Sequence, residues 1–284
     1  MKKILAFLLA LVLVFGLVAC AGGSGDGGGS AADDGPYVLR VGLVGAFNVH
    51  WYTIQEIVAE DNIQLELVYF SDFAIPNRAL NEGDLDLNAF QHKMFLANDA
   101  ATNGYEIQYI ADTFIAPMNI FRNPERISTL EDIQDGHTIA IPSDPTNGGR
   151  ALRLLEAAGL IVLDTPEGQN PTVLDITKRI VNINIIEGET SMLPHMLPDV
   201  EAAIISNPQA MSAGIVTDEY SIFREDISGD AAARLTNVIV VRTADLEEDG
   251  PRARLFEAIV RAHHTERVRQ VFIDEYQGAL VPVW

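Results

Sequence analysis

Residues 141–160, IPSDPTNGGRALRLLEAAGL, run from an apolar strand through a Pro/Asn/Gly turn into a helix that opens with an arginine. Asn147 is placed to cap that helix, and Gly148 and Gly149 leave the N–H groups of its first turn unscreened. Arg150, read as part of that turn, adds a planar fork of donors that matches a carboxylate. A hydrogen bond to a charged group contributes about 1.5–3 kcal/mol. The chemistry predicted here is capture of the anionic end of a small ligand. The turn lacks the Gly-Lys-Ser/Thr ending of a nucleotide loop, which argues against a triphosphate. Taken alone, the stretch reads equally well as a solvated arginine at an ordinary helix start.

A second stretch, GDLDLNAFQHKMF (83–95), alternates as a strand, with Leu85, Leu87 and Ala89 on one face and Asp84, Asp86, Asn88 and Phe90 on the other. Ligands of open α/β sheets bind beyond the carboxyl ends of strands, which assigns Phe90, His92 and Phe95 to a binding wall. His92 has the chemistry of a general base, but no serine or cysteine nucleophile motif accompanies it, and a lone histidine ordinarily packs or hydrogen-bonds. His263 and His264 are adjacent on a helix and point about 100° apart, so they read as surface or partly buried residues and not as a metal pair. The six histidines are scattered, and neither a metal site nor a cofactor is expected. The acidic run DLEEDGP (245–251) reads as a solvated helix cap. Trp51 and Tyr52, just past the first strand, fit either a cleft or a core.

Strand-like and helical patterns alternate along the body. Strands are predicted at 38–44, 63–70, 84–90, 105–122, 137–142, 180–187, 201–206 and 236–242. Helices are predicted over 50–61, over 76–83 up to Gly83, near STLEDIQD (128–135) behind Ser128 or Thr129, after the 143–149 turn, and as one long final helix from Pro251. Such alternation implies parallel sheets, and the number of units implies two α/β lobes. By analogy with two-lobed binding proteins, the chain returns late to the first lobe, giving lobe 1 as 37–117 plus 236–284 and lobe 2 as 118–235, with a hinge at two crossovers.

With 284 residues, 48% of them hydrophobic, the chain can bury a large core. Its formal charge of −21 repels phosphate backbones, so no nucleic-acid partner is expected. Lys2 and Lys3 precede an uncharged run, Ile4 to Val18, of signal-peptide length and short for a bilayer span. The run ends in Leu17-Val18-Ala19-Cys20, which resembles a bacterial lipobox, whose cysteine is lipid-modified, palmitate-type chains included, and becomes the mature N-terminus. Residues 1–20 are therefore read as a lipoprotein signal peptide. Cys20 is the sole cysteine, so no intrachain disulfide is possible. Residues 21–36, rich in Gly and Ser, read as a flexible tether with a reach of about 20–24 Å. The expected location is the extracytoplasmic face of the cell membrane, held by a lipid anchor.

The segments SDFAIPNRALNEGDLDLNAFQH, IPSDPTNGGRALRLLEAAGLI, PTVLDI and FIDEYQGALVPVW resemble the methionine-binding lipoprotein (NlpA/MetQ) family of ABC-importer substrate-binding proteins, across nearly all of residues 41–284. The resemblance implies a two-lobed type II periplasmic-binding-protein fold that closes on L-methionine or a related amino acid and passes it to a permease with a cytoplasmic ATPase. It implies that Arg150 grips the ligand carboxylate with Asn147 nearby, that Phe73, Phe90, His92 and Phe95 wall the side chain, and that Asn237 and Ser206 hold the polar end. A monomer without catalytic activity is the matching expectation. The chain departs from the family pattern at Phe73 and Phe95, where relatives carry tyrosine. It departs again at Ser206, where they carry asparagine while Asn207 follows here, and at His195, in LPH in place of LPR. A site that hydrogen-bonds its ligand discriminates sharply when those groups change. The alternatives are a different small amino acid or short peptide, an enzyme on the same scaffold using His92 or a cleft carboxylate, and an adhesive or sensory lipoprotein.

Overall fold

Residues 236–242 alternate between two apolar environments. Val238 and Val240 pack with Leu80, Leu85 and Leu96, whereas Ile239 and Val241 pack with Leu43, Trp51, Ile54 and Phe272. A strand buried on both faces belongs inside a covered sheet. The computed structural model describes residues 35–166, 168–246 and 250–284. The expected signal peptide with Cys20, and tether residues 21–34, lie outside these.

The first segment contains β1 (Tyr37–Val44), α1 (His50–Ala59), β2 (Ile63–Phe70), α2 (Pro76–Glu82), β3 (Leu87–Asn88), α3 (Lys93–Asn103) and β4 (Ile107–Ile115). A second segment runs through β5 (Met118–Arg122), β6 (Thr138–Pro142), α4 (Pro145–Ala157), β7 (Ile161–Leu163), β8 (Ile176–Arg179) and β9 (Asn184–Gly188). It continues with α5 (Leu193–Met196), β10 (Ala202–Ser206), α6 (Asn207–Ser212), α7 (Thr217–Tyr220), β11 (Ser221–Arg224) and α8 (Gly229–Leu235). The last segment holds β12 (Thr236–Arg242), α9 (Pro251–His263), α10 (Glu266–Tyr276) and β13 (Val281–Pro282).

These form two lobes. One sheet has the order β13-β4-β12-β3-β1-β2 and joins the first and last segments; the other, β11-β5-β10-β6-β9, lies wholly in the second. Neighbours β1 and β2 run parallel in full register, and β10 and β6 are parallel, while β12 is antiparallel to β4 and β5 to β10. The sheets are mixed, where strand and helix alternation alone implies parallel ones. The cause is the crossing of the chain between lobes, once at 116–117 and back through 225–235, which returns β12 against the direction of β1.

In the second lobe Ile139, Ile141 and Ile204 face Leu152 and Leu155 of α4, while Ala140, Ala203 and Ile205 face Leu193 and Ala210 on the opposite side. The lobes also bond directly to each other. Asn207 Nδ2 donates to the Ala279 carbonyl at 2.8 Å, Arg224 Nη2 to that of Gly278 at 2.8 Å, and the Phe47 N–H to Ser212 Oγ at 3.3 Å.

Several local expectations change. The strand at 84–90 shortens to Leu87–Asn88, and STLEDIQD forms a single 3-10 turn, Leu130–Asp132, inside a Thr129/Asp132 capping box. Extended backbone expected at 180–187 is displaced, with β8 pairing to β7 and β9 starting at Asn184. The final helix is two helices, because the Thr265 side chain accepts the Val268 N–H and caps a new start. Trp51 is a core residue, fully buried. Among the described residues no helix is long and apolar enough to cross a membrane.

His263, expected at the surface or partly buried, is fully buried, and neither ring nitrogen has a hydrogen-bond partner among the described residues. His50 sits beside it, 5.7 Å between ring centroids, with Nδ1 2.6 Å from the Tyr276 hydroxyl. Burial pushes the His50 pKa down to about 3, and that of His263 well below the usual imidazole range. The unfolded chain therefore binds protons below about pH 6.5 that the folded one refuses, so stability is complete above that pH and falls as pH drops, approaching about 1.4 kcal/mol per pH unit for each histidine. Urea unfolding between pH 7.5 and 5 should register this slope, and His263→Phe should flatten it by about one proton's worth; an unchanged slope would refute the role of His263.

Candidate functional site

Helix α4 begins earlier than its glycines imply. Asp144, not Asn147, is the cap: its Oδ1 accepts the Asn147 N–H at 2.9 Å, and Pro145 takes the first helical position. Arg150 consequently lies in the second turn. Gly148 and Gly149 serve close packing and do not bare the helix end. A Cβ on Gly148 would stand 2.8 Å from the Pro142 carbonyl oxygen, and one on Gly149 would stand 3.1 Å from Asn170 Cβ.

That packing aims Arg150 inward, where it is 7% exposed and so not a solvated surface arginine. Its Nε and Nη2 grip Glu225 as a two-pronged pair, at 3.1 and 2.6 Å. Nη2 also donates to the Ala116 carbonyl at 3.2 Å and Nη1 to Asn147 Oδ1 at 3.3 Å. Asn147 Oδ1 additionally lies 3.2 Å from His92 Nε2, and its Nδ2 donates to Asp144 Oδ2 at 3.1 Å. Thr190 Oγ1 reaches the same Asp144 oxygen at 2.7 Å.

His92 closes the other lobe onto this network. Its Nδ1 accepts the Phe95 N–H at 3.0 Å and so caps α3, which assigns the ring proton to Nε2 and makes it the donor to Asn147. Burial, assisted by the Arg150 charge, pushes its pKa down to about 3 against the opposing pull of Asn147 and Asp144, so the imidazole is neutral at physiological pH. A β-bridge to Asn237 and a bond from the Val238 N–H to the Gln91 carbonyl fix the backbone there.

Phe73, Phe90 and Phe95 stand at mutual centroid distances of 5.8 to 6.0 Å, a three-ring wall with His92 6.3 Å from Phe95. The structure brings all eight predicted site residues to one cavity: this wall with His92, then Asn147 and Arg150, then Ser206 at the end of β10 and Asn237 in β12. Asn207 is fully buried behind the cavity, taking Asn119 Nδ2 on its own oxygen at 2.7 Å, and His195 is exposed and outside the lining.

Sequence reasoning missed Asn48, Phe114, Thr190 and Gln209 on the lining, and Glu225 behind it. Phe114 and Thr190 lie at or just past the carboxyl ends of β4 and β9, so the strand-end rule was a usable signal for both. For Glu225, 75 residues from its partner, there was none.

A sequence model described as NlpA lipoprotein matches residues 39–284. The chain belongs to the NlpA lipoprotein family. Among relatives in that family, a protein of Pasteurella multocida named probable D-methionine-binding lipoprotein MetQ is 34% identical over 282 residues, covering 98% of each chain. The substrate-binding protein of a methionine transporter from Streptococcus pneumoniae superposes with a TM-score of 0.81 at 35% identity, over 87% of this chain and 96% of that one. A nutrient-binding protein from Burkholderia cenocepacia, solved bound to methionine, gives 0.79 at 29%, over 87% and 100%. The two-lobed mixed α/β fold of this NlpA-family chain is that of these substrate-binding proteins.

Because the contact at Gly148 is with backbone, Gly148→Ala must displace α4 and should cost about 1–3 kcal/mol in urea unfolding of the ligand-free protein. An unchanged midpoint would show that the helix has room the geometry denies.

Proposed function

We propose that this chain is the lipid-anchored substrate-binding protein of an ABC importer, capturing methionine between its lobes and delivering it to a permease and its ATPase. One observation carries the reading: a buried guanidinium and three phenyl rings share a single cavity between two sheets joined by two crossovers. The guanidinium suits the α-carboxylate, and a thioether against aromatic rings gains about 0.3–1.5 kcal/mol. The names of the relatives, which bind methionine or serve its transport, support the same ligand. Asn147, Asn237 and Ser206 line the polar end in this reading.

No bond is made or broken in this scheme. Both nitrogens of the neutral His92 are engaged, one as a helix cap and one toward Asn147, which leaves it no free base position. Binding works as a population shift, with the ligand bridging both lobes and favouring the shut form about the crossovers at 116–117 and 225–235. The protein acts as a monomer, outside the cytoplasm, on an anchor built at Cys20.

Mass spectrometry of the molecule retained through purification should recover one with a free carboxylate. Titration calorimetry with D- and L-methionine should then show Arg150→Ala weakening binding by about ten- to a hundredfold. Recovery of a sugar or a metal ion, or full affinity in the variant, would contradict the assignment. Mass spectrometry of the protein from the membrane fraction should find an acylated Cys20 at its amino end; an unmodified Cys20 would disprove lipidation as the anchor.

A further inference from the structure

Arginine offers five N–H donors. In Arg150 four are already committed: Nε and one Nη2 hydrogen to Glu225, the other Nη2 hydrogen to Ala116, and one Nη1 hydrogen to Asn147. A ligand carboxylate thus meets a guanidinium that already holds a carboxylate. Either the ligand evicts Glu225 and takes the two-pronged edge, or Glu225 stays and the ligand is received end-on at Nη1.

The surroundings of Glu225 decide between these. Its Oε2 accepts the Met118 N–H at 2.9 Å as well as Nη2, and its own N–H donates to the Met118 carbonyl at 2.9 Å. The carboxylate is 14% exposed. Eviction would strand a largely desolvated charge and orphan a backbone donor, both costly. Glu225 is therefore built into the wall and is not a stand-in for the ligand.

We infer that Glu225 is the positioning residue of the site: it holds the edge of Arg150 carrying Nε and Nη2 and turns Nη1, on the side of Asn147 and His92, toward the ligand carboxylate. The pair is electrically balanced, so the ligand meets one aimed donor instead of a diffuse cation. Glu225 begins the return crossover, while Met118 and Ala116 flank Pro117 in the outward one, so the same bonds tie the donor to both strands of the hinge. The inference rests on the proposed reading that Arg150 receives the ligand carboxylate.

Glu225→Gln tests it, because the amide has one acceptor where Arg150 Nη2, Nε and Met118 N–H together need two. Binding of methionine and of methioninamide, in which an uncharged carboxamide replaces the carboxylate, is measured by calorimetry on the wild type, Glu225→Gln, Glu225→Asp and Arg150→Ala, with thermal unfolding as the check on folding. The expected result is a loss of about tenfold or more for methionine in Glu225→Gln, with methioninamide nearly unchanged and Glu225→Asp intermediate. Equal losses for both ligands would reduce Glu225 to a structural role and overturn the proposal. Tighter methionine binding in Glu225→Gln would overturn it in favour of eviction. Full methionine affinity in Arg150→Ala would sink the carboxylate reading itself, and the proposal with it.

Discussion

The buried pair of Arg150 and Glu225 is the constraint around which this molecule is arranged. Two ions withdrawn from water are tolerable only when geometry is good and the leftover donors and acceptors are met. Here they are met by backbone on either side of the outward crossover, the Ala116 carbonyl and the Met118 N–H. A charge pair that serves the cavity is thereby also a fastening between the segments that connect the lobes. The close seat of α4, where a Cβ on Gly148 would meet the Pro142 carbonyl oxygen, brings the guanidinium within reach of Glu225 and the Ala116 carbonyl.

The remainder of the cavity is nearly uncharged. Three phenyl rings and a neutral imidazole make the wall, and the polar atoms are linked in series from His92 through Asn147 to Asp144 and Thr190. That series spans the two lobes, since His92 follows β3 and Asn147 lies in α4. Its polarity is settled by a helix cap: once Nδ1 accepts the Phe95 N–H, only Nε2 has a proton to give. Phe73 and Phe95 present no hydroxyl to this wall, where a tyrosine at either position would add one.

Much of this was legible in the residues, for identifiable reasons. The apolar run at 236–242 marked a strand, and the Asp-Pro-Thr-Asn and Asn-Ala-Phe-Gln-His segments marked two sides of what is one cavity. Local chemistry misled where two signals competed. Asn147 looked like a cap, but Asp144 and Pro145 start the helix three residues sooner, and paired glycines that looked like an anion nest fill a packing need instead. Contacts distant in sequence left no trace: nothing near Glu225 announces Arg150, and nothing in His263 announces a core, because a histidine on a helix reads the same whether it faces water or Trp51. Antiparallel placement of β12 was hidden likewise, being a property of chain return and not of the strand.

Residues 278–282 set when the two lobes can be fastened together. The carbonyls of Gly278 and Ala279 receive Arg224 and Asn207 from the other lobe, and β13 directly after them completes the edge of the first sheet beside β4. A polypeptide made from its amino end reaches these residues only after the second lobe has its whole sequence in hand. Until then the first sheet lacks β12 as well as β13, and Arg224 and Asn207 lack these acceptors. Assembly is thus ordered in time, with the two sheets fastened to each other only after both are complete.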